Sequence, residues 1–279
     1  MTVDAHHHVW DLSVRPQDWL TGPGLRPLRR NFALDDLAPQ ASAAGVGRTV
    51  LVQTVTAAGE TPELLALAEA HPLVAGVVGW TDLTRPGVAE ELARLRELPG
   101  GRYLKGIRHQ VQDEPDPEWL LRADVRRGLA AVAEAGLVYD LVVLPHQLPA
   151  CTAAAASLPR LTFVLDHLGK PPVASGALEP WASAVRALAA LPNTVCKLSG
   201  LVTEADRATW TVDDLRPYAD VVLDAFGPRR LMFGSDWPVC TLAAAYGDVL
   251  AAARVLTLHL APGERRRLFD TTATRVYGL

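Results

Sequence analysis

The chain has 279 residues, of which 49% are hydrophobic and 21% are charged, and its formal net charge is −4. This balance is typical of a globular protein with a sizeable core, and the negative charge excludes the broad basic surface of a nucleic-acid-binding protein. No run of 18 apolar residues is present, which excludes a membrane-spanning helix. The N-terminus lacks the pattern of a signal peptide, and the three cysteines form no CxxC pair. We therefore expect a cytoplasmic protein with unreactive thiols, which acts on a small molecule and can form homo-oligomers.

Short apolar runs rich in Val, Leu and Ile recur along the whole chain and predict strands. There are eight of them, at residues 2–9, 48–54, 73–80, 103–111, 137–143, 161–168, 194–200 and 230–237. Segments with helical periodicity lie between them, for example at residues 63–71, 87–98, 125–136 and 181–191. The chain therefore alternates strand and helix from end to end.

Strands that are buried on both faces and separated by helices indicate a parallel sheet. Eight such units predict a single (β/α)8 TIM barrel spanning residues 1–279, and the length agrees with the about 250 residues of a typical barrel. A dinucleotide-binding sheet would require a glycine-rich phosphate loop after its first strand, and neither GxGxxG nor GxxxxGK[ST] is present.

Two connections are longer than their neighbours and follow predicted strands. Residues 10–35 follow the first strand, and residues 201–218 follow the seventh. Because barrel active sites are built at the C-terminal ends of the strands, we expect both segments to shape the pocket entrance. Ordinary packing loops are the alternative. Of the tryptophans near this rim (Trp10, Trp19 and Trp237), we take Trp19 as a candidate substrate contact.

Histidines and an aspartate follow three of the predicted strands. His6 and His8 end the first strand and point the same way, because side chains alternate along a strand. His167 ends the sixth strand and Asp236 ends the eighth. A parallel barrel brings these ends to one rim, where three imidazoles and a carboxylate can hold a divalent metal such as zinc and leave a position for water. Taken singly, each residue is better explained as a hydrogen-bonded rim group, whereas the four together at the ends of three strands favour a functional site.

The fourth predicted strand carries an unusual concentration of polar residues, Lys105, Arg108 and His109. Such side chains are costly to bury without a partner, so we expect them to bind substrate. Arg108 can hold a carboxylate or lactone oxygen through its planar fork. An ion pair with Asp113 or Glu114 is a nearly equal alternative.

Four further residues are candidates with open roles. Lys170, three residues after His167, is a candidate substrate ligand. Asp140 and His146, which flank the fifth strand, contact substrate or are structural. Lys197 points into the pocket or forms a buried ion pair.

Five stretches in chain order, DAHHHVWD, GIRHQVQDEPDPEWL, FVLDHLGKPP, CKLSGLVTEA and MFGSDWPVC, together resemble the amidohydrolase superfamily. The likeness is greatest to its sugar lactonase branch, the group of the fuconolactonases, rhamnonolactonases and 4-sulfomuconolactonases. The resemblance implies a distorted (β/α)8 barrel that hydrolyses a lactone with water and forms no covalent enzyme intermediate. It also implies a place in carbohydrate metabolism, and the richness of the chain in Ala, Leu, Arg and Pro indicates a bacterial source with a GC-rich genome.

The resemblance further implies roles for individual residues. His6, His8, His167 and Asp236 match the metal positions of the superfamily, Asp236 matches its general base, and Lys105, Arg108 and His109 fall in its substrate-binding strand. Some members of the branch work without a divalent ion, so the resemblance leaves open whether zinc is required. Three rival activities remain at this stage: a metal-dependent decarboxylase of a small unsaturated or aromatic acid, a cyclic imide or amide hydrolase, and a catalytically idle sugar-acid binding protein.

Overall fold

The computed structural model describes residues 1–279 and contains eight parallel strands in one sheet. All eight predicted strands are confirmed: they are β1 (Thr2–His7), β2 (Val46–Val52), β3 (Val74–Gly79), β4 (Leu104–His109), β5 (Val138–Leu141), β6 (Phe163–Leu165), β7 (Thr194–Leu198) and β8 (Leu231–Phe233). Strands β6 and β8 are only three residues long. Both strands end before the polar residues at the ends of the predicted segments 161–168 and 230–237. At those residues the chain leaves the sheet and forms the rim.

The sheet closes on itself to give the predicted (β/α)8 barrel. Each strand pairs in parallel with the next strand along the chain. Between β8 and β1 the closure consists of a single bridge, His7 with Trp237, and two backbone hydrogen bonds. The Asp236 amide donates to the His6 carbonyl at 2.8 Å, and the His8 amide donates to the Trp237 carbonyl at 2.7 Å. The first and last predicted site segments are thus joined directly.

Helices surround the barrel and follow most of the strands. They are α1 (Leu34–Ala43), α2 (Glu60–Ala70), α3 (Val88–Glu97), α4 (Ala123–Glu134), α5 (Leu148–Ser157), α6 (Trp181–Ala189), α7 (Leu201–Glu204), α8 (Val212–Phe226), α9 (Tyr246–Leu256), α10 (Pro262–Arg266) and α11 (Thr272–Tyr277). The four helical segments predicted from periodicity correspond to α2, α3, α4 and α6. No helix combines the length and the apolar character that crossing a bilayer would require.

The barrel interior is divided into an apolar lower layer and a charged upper layer. Val138, Val164 and Val195 belong to a buried apolar cluster inside the barrel. Asp140, Asp166 and Lys197 each follow one of these valines by two residues and are also buried. Because alternate residues of a strand face the same side, the charged groups lie one step nearer the C-terminal rim. The barrel thus presents a polar floor to its C-terminal end.

Helix α11 covers the opposite end of the barrel. Ala273 and Tyr277 pack into the lower apolar layer. The Tyr277 hydroxyl also reaches the charged layer, where its oxygen lies 2.8 and 3.0 Å from the two carboxylate oxygens of Asp140. The C-terminal helix therefore supports the floor of the site from below.

Asp4 fastens the chain after β8 to β1. Its carboxylate accepts hydrogen bonds from the Ser235 amide at 2.8 Å, the Ser235 hydroxyl at 2.6 Å and the Tyr246 hydroxyl at 3.1 Å. It also accepts one from the His6 amide at 3.1 Å. Burial raises the pKa of Asp4 to about 6, although these hydrogen bonds act to lower it. Asp4 thus links the segments that carry His6 and Asp236.

Replacing Asp4 with Ala should lower the free energy of unfolding by roughly 2–4 kcal/mol, because buried donors on three segments lose their acceptor. Chemical denaturation followed by circular dichroism measures the change. Asp220→Ala, at an exposed position of α8, is the matched control and should change stability by less than about 1 kcal/mol. Equal effects of the two substitutions would contradict the role assigned to Asp4.

Candidate functional site at the barrel rim

A polar cavity of about 280 Å³ opens at the C-terminal ends of the strands. Its wall includes both long connections that the sequence singles out, through Trp19 and Leu25 from the first and Thr203, Glu204 and Arg207 from the second. His8, His167 and Asp236 lie on its wall together with Arg108 and Lys170. The rim therefore brings together most of the residues expected to form a site.

The end of β1 directs two of its three histidines toward the site. The predicted shared orientation of His6 and His8 is confirmed, since their Nε2 atoms are 3.1 Å apart. His7 points away and its Nε2 lies 2.9 Å from the Thr49 hydroxyl oxygen on β2. The pairing register of β1 with β2 is irregular between Asp4 and His7, and this irregularity sets which histidines face inward.

The imidazoles and Asp236 form a compact, buried donor set. One donor atom each from His6, His167 and Asp236 lies within 4.8 Å of the others. Asp236 Oδ1 is 3.8 Å from His6 Nε2, 3.5 Å from His8 Nε2 and 3.8 Å from His167 Nε2. Imidazole nitrogen and carboxylate oxygen are common zinc ligands, and the spacing fits one ion with an open position on the cavity side.

The partners of the remaining imidazole nitrogens hold the rings in place. His8 Nδ1 lies 2.7 Å from the Val52 carbonyl oxygen, and His167 Nδ1 lies 2.9 Å from the Ser199 hydroxyl oxygen. Outer partners of this kind fix ring orientation at metal sites. The structure thus aims the Nε2 atoms of both residues at Asp236.

Backbone strain is concentrated at the site. His167, Leu168, Lys170 and Asp236 have φ angles of 52°, 56°, 54° and 58°, and they are the chain's only non-glycine residues with positive φ. This conformation costs about 1–2 kcal/mol for a residue with a Cβ atom. Its confinement to the segments after β6 and β8 indicates that the surrounding fold enforces the geometry for function.

Burial and neighbouring charges set the protonation of the site residues. Burial lowers the pKa of His6 well below its usual value and lowers that of His167 to about 4, so both imidazoles are neutral near pH 7. Burial alone would raise the pKa of Asp236, but His167, a hydrogen bond with His8 and the charge of Lys170 hold it below its usual value. The site therefore combines neutral imidazoles with an ionised carboxylate.

Beneath the histidines lies a network of two buried cations and two buried anions. Lys197 Nζ donates to Asp140 Oδ2 at 2.6 Å and lies 2.9 Å from Asp166 Oδ1. Arg108 Nη1 donates to Asp166 Oδ2 at 2.9 Å. Burial would raise the pKa of Asp166, but Lys197, His6 and Arg108 hold it well below its usual value. The ion-pair interpretation of Lys197 and the structural interpretation of Asp140 are confirmed.

Arg108 lies at the cavity floor, but most of its donors already have protein partners. Its guanidinium also bonds to Gln53, through Nη2 to the carbonyl oxygen and through Nη2 and Nε to Oε1 at 3.0 and 3.3 Å. The alternative partners Asp113 and Glu114 are wrong, because Asp166 occupies the guanidinium. Arg108 can therefore influence a substrate mainly through its charge.

Two residues expected to bind substrate lie elsewhere. Lys105 is near the start of β4, at the opposite end of the barrel, and its Nζ donates to the Gly278 carbonyl at 3.2 Å. His109 stacks on Trp119 at a ring distance of 4.2 Å and lies 2.7 Å from a Glu114 carboxylate oxygen. Neither lines the cavity. Both expectations were wrong, and of the three residues only Arg108 faces the rim. Lys105 lies too near the start of the strand to reach it, and His109, next to Arg108, points to the other side because side chains alternate along a strand.

Six polar residues on the wall were not singled out individually from the sequence: Thr54, Gln110, Gln112, Thr203, Glu204 and Arg207. The two glutamines follow β4 two residues apart, which was a usable signal for a shared orientation. Glu204 is in the long connection after β7, and burial raises its pKa above the usual value. His146, which was an open candidate, is exposed and lies off the cavity.

Trp19 and Lys170 reach the cavity as expected. The Trp19 ring packs edge-on against Trp10 at 5.6 Å, and its indole nitrogen donates to the Gln17 side chain at 2.8 Å. These contacts hold the ring in one orientation on the wall. Trp10 and Trp237 are buried and do not line the cavity.

Comparison with known proteins agrees with this geometry. A family model described as amidohydrolase matches residues 3–279. An L-fucono-1,5-lactonase of Burkholderia multivorans is 43% identical over all of this chain and 96% of its own length, and one of Burkholderia ambifaria is 40% identical over 99% of this chain and 94% of its own. A crystal structure of an amidohydrolase from Burkholderia multivorans with bound zinc has a TM-score of 0.93 at 43% identity, covering 100% of this chain and 99% of that one.

Gly200→Ala should weaken zinc binding about 10- to 100-fold, because an added Cβ atom would lie 2.7 Å from His167 Nδ1 and displace the ring. Gly176→Ala is the matched control: both glycines have a φ of 71°, but a Cβ atom at Gly176 meets nothing within 4 Å. Competition with a chromophoric chelator measures both affinities. A loss of the same size in both variants would show that backbone strain, and not His167, is responsible.

Proposed function

The chain belongs to the amidohydrolase family, and we propose that it is a hydrolase that opens a sugar lactone to its hydroxy acid, with an L-fucono-1,5-lactone as the leading substrate. Two relatives with this activity in their names match the chain over nearly its whole length at 43% and 40% identity. The cavity supports a small polar substrate, because its volume of about 280 Å³ is near the lower end for small-molecule sites and most of its lining residues are polar or charged.

The position of Asp236 is the observation that carries the proposal. Its carboxylate lies at the cavity floor with Oδ1 within 3.8 Å of Nε2 of three histidines. From there it can accept a proton from a water molecule that attacks the lactone carbonyl. General base catalysis of this kind contributes roughly 10²–10⁴-fold. Asp236 can then return the proton to the ring oxygen as the C–O bond breaks.

The imidazoles lie where charge develops on the carbonyl oxygen. A well-placed hydrogen-bond donor at such an oxygen contributes about 3–4 kcal/mol. When zinc is bound, His6, His8, His167 and Asp236 would hold it, and it would polarise the carbonyl and acidify the attacking water. The bound zinc in the Burkholderia multivorans amidohydrolase structure supports zinc as the ion.

We assign the substrate's orientation to side chains around the cavity mouth. Lys170 and Arg207 bring positive charge to the wall, and Glu204 brings negative charge. Trp19 offers an apolar ring face suited to the C–H face of a sugar. Gln110 and Gln112 add amide groups that can bind hydroxyls. Such a mixed wall suits a neutral polyhydroxylated ring.

The rival activities receive less support. A decarboxylase has no support from the two relatives of 40% or more identity, because both are named L-fucono-1,5-lactonases. An idle binding protein would not need Asp236 or the strained backbone that holds it. An imide hydrolase would activate water in the same way, so only an assay with a cyclic imide as substrate distinguishes it from a lactonase.

The wider setting is also proposed. We infer one domain over residues 1–279, a place in bacterial carbohydrate metabolism, and assembly into homo-oligomers. The three cysteines, Cys151, Cys196 and Cys240, are free and buried, which supports a reducing compartment such as the cytoplasm.

Asp236→Asn should lower kcat for L-fucono-1,5-lactone by at least about 10²-fold while the fold is kept, because the amide cannot take a proton from water. A pH-indicator assay that subtracts spontaneous opening measures turnover. A panel of other aldonolactones, muconolactones and a cyclic imide, tested with zinc-supplemented and chelator-treated enzyme, defines the substrate class.

Asp220→Asn on the surface of α8 is the control and should leave turnover unchanged. Near-normal turnover of Asp236→Asn would contradict its role as base. No turnover of any lactone by the unsubstituted chain, with or without zinc, would contradict the proposed function itself.

A further inference from the structure

We propose that Lys197 determines which ring nitrogen of His6 carries the proton, and that it thereby lowers the affinity of the rim site for a metal ion. The inference rests on the proposed function only through the metal site. Lys197 does not line the cavity and cannot touch substrate, so it can act on the site only through the residues that it contacts.

His6 Nδ1 faces one hydrogen-bond donor and one hydrogen-bond acceptor. Lys197 Nζ lies 3.1 Å from this nitrogen and can only donate to it. Asp166 Oδ1 lies 3.4 Å from the same nitrogen and can only accept from it when ionised. A neutral imidazole has one proton, so His6 can satisfy only one of these neighbours at a time.

With Lys197 as the donor, the hydrogen bonds form a continuous chain. Nδ1 of His6 accepts from Lys197, so its Nε2 carries the proton and donates to His8 Nε2 at 3.1 Å. His8 then holds its own proton on Nδ1 and donates to the Val52 carbonyl at 2.7 Å. Arg108 Nη1, which lies 3.4 Å from His6 Nε2, keeps its own acceptor in this arrangement, Asp166 Oδ2 at 2.9 Å.

With Asp166 as the acceptor, the contacts are longer. His6 Nδ1 would donate to Asp166 over 3.4 Å, and His6 Nε2 would accept from Arg108 Nη1 over 3.4 Å. Hydrogen bonds weaken beyond about 3.2 Å, so the first arrangement is preferred in the metal-free chain. The alternative would also direct a proton of His6 toward the Lys197 ammonium.

Metal ligation requires the less favoured arrangement. A histidine that binds through Nε2 must offer a lone pair there, and its proton must be on Nδ1. Binding an ion therefore moves the His6 proton from Nε2 to Nδ1, where it faces the ammonium of Lys197. No proton is gained or lost by the ring. The cost of this shift, added to repulsion between the ammonium and the ion, reduces metal affinity.

The surroundings keep Lys197 in this position. Asp140 accepts a hydrogen bond from its ammonium at 2.6 Å, Asp166 Oδ1 forms an ion pair with it at 2.9 Å, and the whole side chain is buried. Tyr277 holds Asp140 from below at 2.8 Å. Lys197 is thus a positioning residue for His6, fixed by the charged floor.

Nuclear magnetic resonance of ¹⁵N-labelled histidine in the chelator-treated protein tests the tautomer directly. The inference predicts that His6 carries its proton on Nε2 in the unsubstituted chain and on Nδ1 in Lys197→Met, which keeps the aliphatic stem and removes the ammonium. A mere loss of packing would not reverse the two nitrogen shifts. The double variant Lys197→Met/Asp140→Asn, which removes one charge of each sign, serves if the single variant does not fold.

Zinc affinity, measured by chelator competition, should increase about tenfold or more in the same variants. Lys105→Met is the matched control, because it removes an ammonium at the other end of the barrel and should leave affinity unchanged. An Nδ1 proton on His6 in the unsubstituted chain, or an unchanged zinc affinity in the variants, would overturn the inference. If no variant binds zinc, the inference fails together with the metal site, whereas lactone hydrolysis is tested separately by Asp236→Asn.

Discussion

The rest of the structure depends on the charge-balanced network of Arg108, Asp140, Asp166 and Lys197 inside the barrel. These residues come from β4, β5, the end of β6 and β7, and all four are buried. Burying charges is costly, and removing one partner of such a network leaves an uncompensated charge that commonly costs 3–5 kcal/mol. The network provides a rigid polar floor at the depth where the strands end.

This floor determines what can lie above and below it. Below it, valines and the C-terminal helix exclude water, which strengthens the ion pairs. Above it, the imidazole of His6 rests on Lys197 and Asp166, and His8 and Asp236 lie next to it. The strained turns after β6 and β8 then aim His167 and Asp236 at the same point. A barrel with an apolar floor could hold the same four residues without fixing their tautomers or charges.

Much of this arrangement could be predicted from the sequence. The eight apolar runs predict the barrel, and the parallel topology alone brings His6, His167 and Asp236 to one rim, because strand ends are local features of sequence. How deep a side chain lies inside the barrel, in contrast, is not a local feature of the sequence. Lys105 and Arg108 are three residues apart and similar in charge, yet one reaches Gly278 and the other reaches the site.

The role of Asp4 and the contact of Lys197 with His6 could not be predicted for a related reason, although the buried ion pair of Lys197 was. Asp4 binds Ser235, 231 residues away, and Lys197 binds His6, 191 residues away. Their importance arises only when distant strands meet. The register irregularity that turns His6 inward and His7 outward likewise depends on how β1 pairs with β2. The alternation of side chains within one strand does not reveal it.

In the proposed mechanism, water attacks the lactone carbonyl directly, and Asp236 acts on the water and never bonds to the substrate. A single-turnover reaction in H₂¹⁸O, with enzyme in excess over L-fucono-1,5-lactone, tests this most directly. Mass spectrometry of the acid formed should show one ¹⁸O atom in the carboxylate from the first turnover. Unlabelled acid in the first turnover, with ¹⁸O instead in the Asp236 carboxylate, would show a covalent acyl-enzyme and contradict the account.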